Sequence, residues 1–137
     1  MDEFDHHVDI SLRYRDLDAQ NHVNNAVYAS FLEQGRNAYF QSVLDTRLDA
    51  EDVVIADIEV SFERPITLSD DEVRVYTRVP SLGSSSFPIE YAVVAAGETK
   101  ATGKTTLVCY DSEAGGSRPI PDEWRAEIAA FEGFTDS

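Results

Sequence analysis

The stretch RYRDLDAQNHVNNAVYASFLEQGRNAYFQSVL, residues 13–44, decides how the rest of the chain must be arranged. From about Asn25 to Leu44 the positions Tyr28, Phe31, Leu32, Gly35, Tyr39 and Val43 recur at intervals of three and four. That period predicts an amphipathic helix of about 30 Å. Asn24 has the side chain of an N-cap. Gly35 costs such a helix up to ~1 kcal/mol relative to Ala, which is reasonable where a sheet passes close to the helix. Ahead of the helix, Asp16 to His22 is polar and aperiodic, so it reads as a loop.

The flanking segments switch to a period of two. Val8, Ile10, Leu12 and Tyr14 alternate with polar residues, which predicts a half-buried strand. After a polar loop from Asp45 to Asp52, Ile58, Val60 and Phe62 face one way up to Pro65. Val73, Val75, Thr77 and Val79 give a further strand, and Phe87, Ile89, Tyr91, Val93 and Ala95 another. A turn at Gly97 makes a hairpin with Ala101 to Tyr110. Residues 114–117 read as a flexible connection, and Trp124, Ile128 and Phe131 mark a short helix from Asp122. Consecutive hairpin strands form an antiparallel sheet, and the long helix must bury its stripe against it. The class is therefore α+β, with about five strands, one long helix and a short C-terminal helix.

Composition narrows the partners. The 137 residues carry 26 acidic against 11 basic side chains, a net charge of −15. This predicts one folded domain over residues 1–137. Such charge repels nucleic acid and anionic membranes. Nine of the eleven basic residues are Arg, and the acids are spread over the whole chain. That distribution suits a high-salt cytoplasm, where a Debye length of about 3 Å at 1 M salt screens the self-repulsion. A single cysteine, Cys109, makes no internal disulfide, and no Cys/His cluster has metal-ligand spacing. No run approaches the ~20 apolar residues of a membrane span, so a soluble cytoplasmic protein is expected.

Asp18, His22, Val23, Asn24, Asn25, Tyr28, Glu33 and Arg36 together resemble the motif of the hotdog-fold acyl-CoA thioesterases, the 4-hydroxybenzoyl-CoA thioesterase-like family. Arg64-Pro65, Asp71 and Pro119-Ile120-Pro121 extend the resemblance along most of the chain. One departure is Asn21, where the family usually has Gly; Asn tolerates the left-handed backbone such a turn requires. The resemblance implies a sheet wrapped around a central helix and hydrolysis of an acyl-CoA. It also implies a homodimer or homotetramer with sites at the interface. No cofactor or metal is expected. By the same resemblance Asp18 is the nucleophile or general base, and the backbone N–H of Asn25, seven residues later, polarises the carbonyl.

Physical reasoning reaches the same place, because a helix N-terminus offers unpaired N–H groups and a favourable dipole to a developing oxyanion. His22 completes the catalytic candidates, as an orienting group or a proton carrier. Asn24, Tyr28 and Arg64 are the candidate substrate contacts, with capping and core packing as the simpler roles of the first two. Asp16 is expected to be solvated or paired with Arg13 or Arg15, and Glu33 to pair with Arg36 at i+3. His6 and His7 are expected to be exposed. Two other functions share these features. An enoyl-thioester hydratase on the same fold places its His five residues after its Asp, whereas here Asp18 precedes His22 by four and Asp16 by six. A non-catalytic acyl-thioester binding module would need no carboxylate at position 18.

Overall fold

In the computed structural model, which describes residues 3–46 and 53–135, the long helix runs Asn25–Val43 (α1). Asn24 caps it, its Oδ1 accepting from the Ala26 N–H at 2.9 Å. The buried stripe is Tyr28, Phe31, Leu32, Gly35, Arg36, Tyr39 and Phe40. At Gly35 a Cβ would come within 2.9 Å of Val75 Cγ1 and 3.0 Å of Thr77 Cγ2. Glycine is thus required by how closely the helix crosses the sheet.

The strands are β1 (His6–Ser11), β2 (Val53–Phe62), β3 (Glu72–Arg78), β4 (Ser86–Ala95), β5 (Glu98–Asp111) and the two-residue β6 (Gly116–Ser117). They form one antiparallel sheet in the order β1-β3-β4-β5-β2, with β6 paired to β5. Val73, Val75, Phe87, Ile89, Tyr91, Val93, Ala101 and Leu107 point inward from β3, β4 and β5 and are buried under α1. Ala96 and Gly97, both at positive φ, close the β4–β5 hairpin with the two-residue loop that suits strand twist. The final helix, α2 (Asp122–Glu132), seals the far end of α1. Trp124 meets Phe40 edge-on at 5.4 Å, and Glu132 accepts from the Tyr39 hydroxyl at 2.6 Å and the Val79 N–H at 2.8 Å. This is the α+β hotdog arrangement, and no helix among the described residues is long and apolar enough to cross a membrane.

Several expectations are corrected. The first strand stops at Ser11, and Tyr14 begins a 3-10 turn (Tyr14–Asp16) with 81% of its surface exposed. There the Asp16 carboxylate accepts from the Arg13 N–H at 2.9 Å and pairs with its guanidinium at 3.0 Å. This local cap overrides the alternation. Asp16 is buried, so its pairing with Arg13 stands and its solvation does not. His6 is also buried, its Nδ1 2.6 Å from Thr77 Oγ1 and its ring edge-on to Tyr39. Residues 114–117 form a turn and β6 instead of a flexible link. Glu33 is exposed while Arg36 is buried beneath the sheet, so the expected pair does not form. Of the expected loop from Asp45, residues 47–52 lie outside the described residues.

Strand β2 forms as expected, but its burial does not alternate: only Val53 and Val60 are half-buried and the rest is exposed. It is an edge strand bonded only to β5, and Ile58 and Phe62 on its inner face each keep 49% of their surface exposed.

Candidate active site

The loop between the 3-10 turn and α1 is folded by its own polar groups. The Asp18 N–H donates to the His22 carbonyl at 2.7 Å, and the Asn21 N–H to the Asp18 carbonyl at 3.1 Å. Asn21 takes φ 62°, the left-handed conformation the turn requires. The Asp18 Oδ1 accepts from the backbone N–H groups of Gln20 at 2.8 Å and His22 at 3.2 Å. One carboxylate oxygen is thereby fixed, and Oδ2 accepts no hydrogen bond among the described residues. The loop is held to the connection after β2 by the Val23 N–H on the Ile66 carbonyl at 2.7 Å and to the preceding turn by the Asn24 N–H on the Asp16 carbonyl at 2.8 Å.

Asn25 is the first residue of α1, and no hydrogen bond among the described residues uses its N–H. The neighbouring Ala26 and Val27 N–H groups are both taken by Asn24. The first free donor of the helix dipole is therefore the amide at position 25.

Asp18, His22, Asn24, Asn25, Tyr28 and Arg64 all line one cleft of about 450 Å³. The structure thus gathers all six candidates from two loops and a helix. Asp16 is not among the lining residues of that cleft, and Cys109 is buried in β5. The His22 hydrogen bond to Asp18 comes from its backbone, and the imidazole makes no hydrogen bond among the described residues. Tyr28 is buried at the cleft floor. Its hydroxyl pKa is raised, first by burial and then by the charge of Asp70. Arg64 is largely exposed at the rim, 3.6 Å from Glu98.

Phe62, Gln20 and Glu63 also line the cleft and were not singled out from sequence. Phe62 meets Tyr28 edge-on at 4.9 Å. The strand period placed Phe62 on the correct face. Only the packing of β2 beside α1 brings it to the site.

Comparison with known proteins agrees with this fold. The family model of the thioesterase-like superfamily matches residues 12–128. A thioesterase from Thermus thermophilus, solved in complex with coenzyme A and Zn, is 41% identical over 98% of this chain and 99% of its own, with a TM-score of 0.89. A Staphylococcus aureus protein solved in complex with CoA shares the fold at TM-score 0.84 and 13% identity, over 96% of this chain and 85% of its own. Bacillus subtilis YsmA, an uncharacterized protein, is 26% identical over 83% of this chain and 78% of its own. No group of three or more His, Cys, Asp or Glu side chains suited to a metal ion occurs among the described residues.

Proposed function

Because this chain belongs to the thioesterase-like superfamily, we propose that it hydrolyses an acyl-CoA thioester to the free acid and coenzyme A. Asp18 is the catalytic carboxylate. As general base it takes a proton from water, whose oxygen adds to the thioester carbonyl; as nucleophile its own oxygen adds and water then cleaves the anhydride. In either route the carbonyl oxygen becomes an oxyanion, the C–S bond breaks and the CoA thiolate leaves to be protonated. The Asn25 N–H, at the positive end of α1, stabilises the oxyanion. The observation that carries this reading is the Asp18 carboxylate fixed through Oδ1, with Oδ2 free, in the cleft that also holds the unbonded Asn25 N–H.

Tyr28 and Phe62 form the apolar floor against which the acyl group begins, and Arg64 at the rim is suited to a phosphate of the carrier. A second copy of the chain completes the assembly. The unpaired edge of β2 is where it docks.

The test is thiol release from a panel of acyl-CoAs. Wild-type protein should turn over, and Asp18→Asn, which keeps the side-chain shape, should lose at least ~10³ of kcat with an unchanged melting temperature. Near-normal turnover by that variant would remove Asp18 from the chemistry. Tight acyl-CoA binding without thiol release by the wild type would make the protein a binding module.

A further inference from the structure

Arg36 carries a buried charge that the chemistry above does not use. It lies on the inner stripe of α1 with 4% of its surface exposed. Its Nη1 donates to the Tyr91 hydroxyl over a long 3.5 Å, and that hydroxyl is 2.7 Å from Thr105 Oγ1. The buried Nε has no hydrogen-bond partner, and no carboxylate pairs with the guanidinium among the described residues. A guanidinium so placed is strongly disfavoured unless an anion reaches it.

The fold places a row of apolar side chains between the cleft and this group. Phe62 meets Tyr28 at the cleft. Val60 pairs with Gly103, whose Cβ position lies 3.1 Å from Leu32. Ile58 pairs with Thr105, the last member of the chain of contacts from Arg36. Phe62, Val60 and Ile58 thus form an apolar row, half-exposed at both ends, that leads by register from the candidate catalytic groups towards the guanidinium. Asn25 and Arg36 are eleven positions apart, about 16 Å along the axis. Because helical side chains lean towards the N-terminus, the carbonyl site and the guanidinium are separated by on the order of 11 Å.

We propose that Arg36 recognises a carboxylate at the end of the acyl chain remote from the thioester, so that the preferred substrates are medium-length ω-carboxyacyl thioesters. This rests on the thioester-hydrolase reading of the cleft. The methylenes lie along the apolar row of β2, and Tyr91, itself bonded to Thr105, holds the guanidinium in place. Arg36 is thus a specificity-determining residue and takes no part in bond breaking.

The experiment compares kcat/KM for acyl-CoA pairs of equal carbon number, one ending in methyl and one in carboxylate. Wild-type protein should favour the carboxylate member at least tenfold at the chain length that spans the row. Arg36→Gln should lower that ratio at least tenfold, and Arg36→Lys should retain part of it. Should Arg36→Gln fail to fold, Tyr91→Phe, which removes only the supporting hydroxyl, should lower the same ratio by a smaller factor. Binding of the matching non-hydrolysable thioethers, followed by calorimetry, reads the preference without catalysis. Tighter binding of the carboxylate analogue without thiol release overturns the hydrolase reading and keeps Arg36 as the anion reader. Hydrolysis with a preference for methyl-terminated chains at every length overturns this proposal alone, as does a ratio unchanged in folded Arg36→Gln.

Discussion

Asn25 is required for a backbone atom, so its role is tested by substitutions that separate the side chain from the amide. Asn25→Ala keeps the N–H. Asn25→Pro deletes it, and the helix should tolerate the ring, because proline suits the first helical position and Asn24 already has the extended φ −60°, ψ 135° that a following proline demands. At equal helicity by circular dichroism, Pro should be ~10²–10³ slower than Ala, about 3 kcal/mol of lost oxyanion stabilisation. Equal rates would assign the oxyanion to another donor. His6 makes a second prediction. Burial, reinforced by the charge of His7, lowers its pKa below 6.5. Above pH 6.5 both folded and unfolded His6 are neutral. As pH falls through 6.5 the unfolded state takes up the proton first, so stability declines until the folded-state pKa is passed, with a slope of at most ~1.4 kcal/mol per pH unit. His6→Gln should remove that decline from melting curves at pH 7.5 to 5; an identical profile would show that His6 does not titrate in this range. These two residues also mark what sequence can reveal. Asn21 and Asn24 act through local turn and cap chemistry, Asn25 follows the cap, and Asp18, bonded within four positions, stands out only in the motif it shares with His22, Asn24 and Asn25. The neighbours of His6 and Arg36 are 71 and 55 positions away, and nothing local announces them.

At the scale of elements, the helix and the strands β3, β4 and β5 were legible because both faces of the pattern have a physical counterpart, core on one side and water on the other. The end of β1 was not, since the Arg13–Asp16 cap competes with the strand and wins locally. Strand β2 has a readable period whose burial could not be read, because coverage depends on what lies beside the strand. The crossing of α1 over β3 gives a sharp test. Gly35→Ala gains up to ~1 kcal/mol of helix propensity but drives a methyl against Val75 and Thr77, an overpacking that costs about 1–3 kcal/mol. A net loss of about 1 kcal/mol is expected from denaturant midpoints, relieved in part by Val75→Ala. A more stable Gly35→Ala would show that the helix shifts away from the sheet at little cost.

For the whole molecule the governing quantity is the charge of −15 set against an open strand edge. Two copies joined through β2 bring their charges together, so association and stability should both strengthen with salt. Light scattering should show a dimer or larger assembly, and the melting temperature should climb from 0.1 M to multimolar salt. A monomer at every concentration and salt would overturn the docking of a second copy. A flat melting temperature would detach the acidity from a saline cytoplasm. The contact of Glu132 with Tyr39 spans 93 positions, and Phe40 is covered by Trp124 from the same late segment. On a ribosome, therefore, the aromatic end of the central helix emerges long before the residues that close over it. Until then the nascent chain has a greasy flank open to chaperones, and the core shuts only once α2 has left the exit tunnel.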